Sequence, residues 1–285
     1  MEGSGIFASA ERFFASAEGA FARLPAKGEE TRAFFSRMNG DGGPEGLVAL
    51  HDAWAHEKAL CAGLRFEAFA ICPPLANWGK ISDIAERCAG AAPRRYIISD
   101  KAYARVADHT DGDGILSLAR LPIREPEDLA LGGDAVVFVL DGLTKPGNVG
   151  VILRSCDGAG VDAVFTCNLR TRATHPNAVK SSMGAVFYLP TCSFASAEDC
   201  KGWLNRNGFT VYVADPEADN RFDSADYRGR IAVVFGNEHV GASGAWYRGG
   251  ARALTIPMSG ACDSLNVSVA ASIIAFAIKS ARSRA

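Results

Sequence analysis

From residue 134 onward the chain carries six short apolar runs, AVVFVL, VDAVFT, AVFYLP, FTVYVAD, IAVVFG and ALTIP, with helical spacing in most of the segments between them. A strand with one wet face alternates apolar and polar residues, whereas these runs are continuous, as strands covered on both faces are. Strands alternating with helices pack as a parallel sheet with helices on either side, so the pattern predicts an α/β domain over 134–285. Upstream, 46–122 mixes helical segments (HDAWAHEKALCAGL, KISDIAERCAG, KAYARVAD) with strand-like ones (FEAFAI, RRYIIS, GILSLARLP), which predicts a smaller α/β domain. IREPEDLALGGD, with its proline, acids and glycines, reads as a linker over 123–133. Residues 1–45 alternate aromatics with small and charged residues, end in the turn-rich NGDGGPEG, and read as a helical N-terminal extension.

The 285 residues, 48% of them hydrophobic, suffice for two cores. Thirty Lys and Arg against 32 Asp and Glu argue against coating nucleic acid by bulk charge, so any RNA contact must be local; no contact with DNA is expected. No apolar run reaches the roughly 18 residues of a membrane span, and the N-terminus lacks a signal pattern, so a cytoplasmic protein without membrane contact is expected. The eight cysteines include no Cys-x-x-Cys pair and the five histidines no HExxH spacing, which favours reduced thiols and no metal site.

Parallel sheets bind ligands at the carboxyl ends of their strands. Three loops there are unusual: DGLTKPGNVGVILR after AVVFVL, GNEHVGAS after IAVVFG, and PMSGACDSLNVS after ALTI. Each puts glycine and polar residues directly after an apolar strand, where backbone can approach a ligand closely. In the last, Ser264, Asn266 and Ser268 lead into the nearly apolar VAASIIAFAI, so that helix is expected to be buried, with a polar first turn needing partners; an N-cap at Asp263 or Ser264 is the simpler reading. Gly236 to Ser243 has a P-loop outline, but Ala242 stands where the phosphate-binding lysine belongs. Gly142, Gly147 and Gly150 do not form GxGxxG, and no GxSxG elbow occurs, so nucleotide hydrolysis, dinucleotide binding and serine hydrolysis lose support. What remains is a cofactor held by backbone and apolar contacts.

Pro146-Gly147-Asn148-Val149-Gly150 with Arg154, then Gly236-Asn237-Glu238-His239-Val240-Gly241, then Ile256-Pro257-Met258 with Ser264-Leu265-Asn266-Val267-Ser268, resemble in order and spacing the three motifs of the SpoU, or TrmH-like, RNA ribose 2′-O-methyltransferases. The resemblance covers about 135–278, and 46–122 is similar to the small substrate-recognition domain that many members carry. It implies a SPOUT-type fold, α/β with a parallel sheet and a C-terminal trefoil knot, a homodimer, S-adenosylmethionine as cofactor, and ribosomal or transfer RNA as substrate. A non-catalytic RNA-binding or ribosome-assembly factor keeping the same fold is the alternative.

By the same resemblance, Gly236, Asn237, Ile256, Met258 and Leu265 hold the cofactor, and Asn148, Arg154, Glu238, Ser264 and Asn266 form the catalytic set. Arg154 is proposed in the family to help deprotonate the 2′-hydroxyl; a guanidinium is a poor base, so holding a phosphate and stabilising the developing alkoxide is the better physical role, with an ion pair to Asp157 or Glu238 as the competing reading. Asn148 would orient Arg154 or the ribose, or else cap a helix. Glu238 would shape the pocket through backbone amides, and Ser264 and Asn266 would position the ribose or brace the arginine. Arg94, Arg95, Lys101 and Arg105 form one candidate RNA-facing patch, and Arg170, Arg172 and Lys180 another.

Overall fold

The computed structural model describes residues 13, 21–25, 27–40, 44–106, 112–248 and 250–284. The chain divides into two compact units, Met1–Pro122 with Thr174–Pro176, and Ile123–Ala173 with Asn177–Ala285.

Unit 1 is built from β1 (Ala22–Arg23), α1 (Glu29–Met38), β2 (Leu47–Leu50), α2 (Ala53–Cys61), β3 (Arg65–Ile71), α3 (Trp78–Ala91), β4 (Arg94–Ile97), α4 (Asp100–Tyr103) and β5 (Ile115–Arg120). The sheet order is β1-β4-β3-β5-β2, parallel between β1, β4 and β3 and antiparallel from β3 through β5 to β2. Phe34, Phe35 and Met38 of α1 pack into the same core as Leu47, Tyr96, Leu116 and Leu118. The described residues before 46 are therefore not a separate helical extension, as the sequence suggested: β1 hydrogen-bonds into the sheet and α1 covers it. The remaining early residues lie outside those described. GLVAL, unassigned in the sequence, is strand β2, fully buried against β5.

Unit 2 holds β6 (Val136–Asp141), α5 (Pro146–Ala159), β7 (Ala163–Cys167), all but the first residue of α6 (Pro176–Ser182), β8 (Thr191–Phe194), α7 (Ala197–Arg206), β9 (Thr210–Ala214), β10 (Ile231–Phe235), α8 (Gly244–Tyr247), β11 (Arg252–Leu254) and α9 (Val267–Arg282). Its six strands run in the order β11-β9-β10-β6-β7-β8, parallel throughout. β6, β7 and β10 are buried along their whole length, as their unbroken apolar runs require. Two predictions shift. AVFYLP is not a strand: Met183 and Gly184 adopt positive φ (49° and 86°), Ala185–Phe187 closes a 3-10 turn, and the strand forms at Thr191–Phe194. The supposed linker is docked. Leu129 and Leu131 pack on the unit 2 core, Trp203 Nε1 donates to Glu127 (2.8 Å), and Arg230 donates to the carbonyls of Leu131 and Gly132.

α5 starts with proline at its first position, where a missing N–H costs nothing, and ends on Gly160 in the left-handed region (φ 79°). It lies so close to α6 that a Cβ on Gly150 would stand 2.3 Å from the Ala178 carbonyl oxygen, so only glycine fits there. Residues 255–266 leave the edge strand β11, line the same cavity as the ends of β9 and β10, and deliver α9 against α5, where Ser155 and Ser272 share a 2.6 Å hydrogen bond.

Candidate active site

The strand order reverses between β6 and β10, and a cavity of about 500 Å³ opens at the carboxyl ends of β9, β10 and β11. Eight of the ten residues singled out in the sequence line it: Gly236, Asn237, Glu238, Ile256, Met258, Ser264, Leu265 and Asn266. Asn148 and Arg154 do not, and they differ from each other.

Asn148 is buried in the first turn of α5 and ties the three loops together. Its Nδ2 donates to Glu238 Oε1 (2.8 Å), and its Oδ1 accepts from Asn266 Nδ2 (3.3 Å). It neither caps the helix, since Lys145 holds that position, nor touches Arg154. Glu238 also accepts from the Thr144 hydroxyl (3.2 Å) and backbone N–H (3.4 Å). Burial alone would push the Glu238 carboxyl up, but the hydrogen bonds from its own backbone, Asn148 and Thr144 outweigh it and hold the group below its ordinary range. Glu238 is therefore an ionised brace whose proton-accepting power is spent on structure.

Asn237 shapes the second loop. Its Nδ2 donates to the Gly142 carbonyl (2.8 Å), its Oδ1 accepts from His239 and Val240 N–H, and its backbone pairs with Gly241. The loop folds back so tightly that a Cβ on Gly236 would fall 2.0 Å from the Ala242 nitrogen. In the third loop the helix begins later than the sequence suggested. Asn266 is the N-cap of α9, accepting from Ser268 N–H (2.8 Å) and hydroxyl (2.7 Å), so Ser264 and Asp263 belong to the loop and neither caps it. Of the three polar residues expected in a buried turn, only Ser268 is buried. Nor is α9 buried all round: Val269 and Phe276 are 45% and 49% exposed.

Arg154 is exposed on α5 and, among the described residues, makes no hydrogen bond or ion pair, so the pairing with Asp157 or Glu238 is absent. Arg94 and Arg95 do not form one patch: they are successive strand residues and point to opposite faces, Arg94 toward Glu67 (3.6 Å) and Arg95 toward the Ala92 carbonyl. Lys101, Arg105, Arg170, Arg172 and Lys180 are exposed.

Three residues of the site were missed. Asp141, 3% exposed at the end of β6, accepts from Asn168 Nδ2 (2.7 Å), Ser243 N–H (2.7 Å) and Trp246 Nε1 (2.9 Å), fixing the second loop from below. An acid closing the apolar run VVFVL was its signal, since a buried carboxylate must find donors. Lys145 and Asp215 line the cavity. Asp215 is the first residue after FTVYVA, the place where ligand-binding side chains gather on a parallel sheet.

The cavity has the size of a small-molecule site, with walls shared about evenly between apolar side chains and polar groups. Leu254, Ile256, Leu265 and Met258 supply apolar contact for a purine and thioether chain, and the bare backbone at Gly236 leaves amide and carbonyl groups accessible, so the residues fit S-adenosylmethionine.

Residues 135–276 match the model of the SpoU rRNA Methylase family. The chain is 30% identical over 231 residues, 77% of its own length and 92% of the relative's, to the 23S rRNA (guanosine-2′-O-)-methyltransferase RlmB of Xylella fastidiosa. It is 35% identical over 146 residues, 50% of its length and 58% of the relative's, to a putative TrmH family tRNA/rRNA methyltransferase of Staphylococcus epidermidis. The SpoU methyltransferase AviRb of Streptomyces viridochromogenes, solved in complex with AdoMet, superimposes with a TM-score of 0.78 at 20% identity, covering 90% of this chain and 98% of that one. The fold is thus that of the SPOUT-class methyltransferases. Within that class the chain belongs to the SpoU rRNA methylase family.

Proposed function

We propose that this chain transfers a methyl group from S-adenosylmethionine to a ribose 2′-hydroxyl of ribosomal RNA, acting as a homodimer. The observation that carries the reading is the Glu238–Asn148–Asn266 chain, which joins one polar residue from each of the three loops beside one cavity. Ribosomal RNA is favoured because the relative matched over 92% of its length carries a 23S rRNA activity in its name, whereas the tRNA/rRNA relative is matched over 58%. The trefoil knot of the class is proposed for the return segment 255–266.

When bound, the cofactor supplies an electrophilic methyl group on a sulfonium, and the ribose oxygen must approach it in line while losing its proton. Asn148 and Glu238 hold the first and second loops in register, and Asn266 fixes the start of α9 against them. Glu238, ionised and held by three hydrogen bonds, is a weak base, and the hydroxyl proton passes to solvent instead. Arg154, exposed and without an ion pair among the described residues, is placed to hold an RNA phosphate and to stabilise charge growing on the ribose oxygen.

The homodimer rests on α5 and α9. Val151 is 37% exposed, Val269 and Phe276 lie seven residues apart on one face of α9, and a Cβ on Gly158 would stand 3.7 Å from the Phe276 ring. Taken together as one apolar strip, these residues are the proposed dimer contact, with Arg154 between Val151 and Gly158 on α5 at helical spacing. With no helix among the described residues long and apolar enough to cross a membrane, a cytoplasmic location is part of the same proposal.

Incubation with methyl-labelled cofactor and total rRNA, followed by alkaline digestion, tests the activity. Label in alkali-resistant dinucleotides is expected. Label only in mononucleotides refutes 2′-O-transfer, and cofactor-independent RNA binding without label favours the assembly-factor alternative.

A further inference from the structure

The cavity wall carries two carboxylates among the described residues, Glu238 and Asp215. Glu238 accepts three hydrogen bonds from protein donors. Asn266, the other strong acceptor, uses its Oδ1 on Ser268 twice. Among the described residues Asp215 accepts two, from the Glu217 N–H on Oδ1 (2.9 Å) and the Tyr247 hydroxyl on Oδ2 (2.7 Å). A carboxylate offers about four acceptor sites, so capacity remains on both of its oxygens.

Its position is fixed from several sides. The Asp215 N–H donates to the Leu254 carbonyl (2.9 Å), pinning the residue between β9 and β11. Tyr247 ends α8, and α8 is itself held hard: Lys201 Nζ donates to the Ala245 and Trp246 carbonyls (2.7 and 3.1 Å) and to that of Arg248, and the Trp246 indole donates to Asp141. Burial, followed by the Asp215 carboxylate, pushes the Tyr247 phenol up to about 12, so at neutral pH it stays protonated and donates. Helping a solvated loop acid would need none of these ties. A partly buried acid held by a tyrosine on a tethered helix, beside a cofactor cavity, is instead arranged to meet a donor.

We propose that Asp215 is a cofactor-recognition residue, set in place by Tyr247, whose carboxylate accepts hydrogen bonds from S-adenosylmethionine. The inference rests on the cofactor assignment above. Two sets of donors in that molecule fit the chemistry, the vicinal ribose hydroxyls and the α-ammonium. Either contact would be charge-assisted, and charge-assisted hydrogen bonds are roughly twice as strong as neutral ones.

Calorimetry with two probes, S-adenosylhomocysteine and 5′-methylthioadenosine, separates the possibilities, because the second keeps the ribose and lacks the amino acid. Asp215→Ala is expected to weaken S-adenosylhomocysteine about tenfold or more, isosteric Asp215→Asn severalfold, and Tyr247→Phe to a smaller degree. An equal loss for both probes assigns the contact to the ribose hydroxyls; a loss confined to S-adenosylhomocysteine assigns it to the ammonium. Wild-type affinities for both probes in Asp215→Asn and in a folded Asp215→Ala overturn the proposal while leaving the cofactor assignment intact. A wild-type protein that binds neither probe removes the cofactor assignment itself, and the proposal with it.

Discussion

Asn148 is engaged at both ends of its amide, which faces a carboxylate on one side and an amide donor on the other. Truncating it strands Glu238 Oε1 and Asn266 Nδ2 together, and a partly buried polar group left unpaired costs about 1–3 kcal/mol. Asn148→Ala is therefore expected to weaken S-adenosylhomocysteine at least tenfold in calorimetry, and undiminished affinity would show that the brace is not needed. Asn148→Asp should be worse at neutral pH, since it sets a second carboxylate against one already ionised. The pH behaviour follows from Glu238, whose pKa in the fold is held below the ordinary value. A depressed carboxyl contributes order that is present above the unfolded value, about 4.5 for this group, and is lost as pH falls through the folded one. Cofactor affinity of the wild type should thus be level from pH 8 to 5 and drop only in the acid range. Arg154 belongs to a different step. Arg154→Ala should keep cofactor affinity, because the side chain is absent from the cavity wall, and lower kcat about a hundredfold, the usual cost of one lost charge-stabilising donor; unchanged turnover would remove its proposed role. Ordinary sequence logic reached Asn148 and Arg154 through the motif, yet it could not tell a buried tie from an exposed cation, since that difference depends on which side of α5 faces β10 and α9.

At the scale of elements, the second loop and the core of unit 1 make separate demands. Gly236→Ala pushes a methyl group into the backbone of Ala242, so the loop must open; loss of cofactor binding with little change in unfolding temperature is expected, and tight binding by this variant would show the loop to be adaptable. In unit 1, His56 is fully buried on α2 between the Asp52 carbonyl (2.8 Å) and Ser117 Oγ (3.0 Å). Burial lowers it to about 4, so the fold keeps it neutral while the unfolded chain takes a proton near 6.5. Stability is complete above that unfolded value and falls as pH drops toward 4; between pH 7 and 5 the loss is on the order of 2 kcal/mol. Denaturant titrations at the two pH values should show it, and His56→Gln should abolish the difference. The elements themselves were legible wherever a run was long and continuously apolar, as in β6, β7 and β10. They were misplaced where a local backbone feature intervened: the positive φ at Met183 and Gly184 turned AVFYLP away from strand, and the start of α9 moved to Asn266 because its side chain, not that of Ser264, reaches the first free N–H. Asp141 and Asp215 stayed hidden for a third reason, since their partners lie 102 and 32 residues away in Ser243 and Tyr247.

For the whole molecule, the sequence motifs identify the methyltransferase unit but say little about assembly, because an interface is made by a surface pattern that spans two helices. That pattern emerges only once α9 is seen packed on α5. Phe276 then lies beside Gly158, with Val269 two turns before it on α9 and Val151 two turns before Gly158 on α5, and the Lys279 ammonium lies 5.7 Å from the Phe276 ring. Exposed apolar side chains mark a contact surface when they are contiguous, which is the arrangement proposed for these two helices. A two-fold contact through this strip would pair α5 and α9 with their copies and enclose Arg154, which forms no ion pair among the described residues of its own chain and would then face RNA or the second copy. The assembly and the chemistry are therefore predicted to fail together. Phe276→Glu should convert a dimer to a monomer in light scattering and should leave calorimetric affinity for S-adenosylhomocysteine within a few fold, because Phe276 does not line the cavity. Methyl transfer to rRNA should nevertheless fall at least as far as in Arg154→Ala. The unfolding midpoint of the wild type, but not of the variant, should rise with protein concentration, as it does when folding and association are linked. A wild-type monomer, or a monomeric Phe276→Glu enzyme with full transfer activity, would separate Arg154 from the interface and return it to the surface of a single chain.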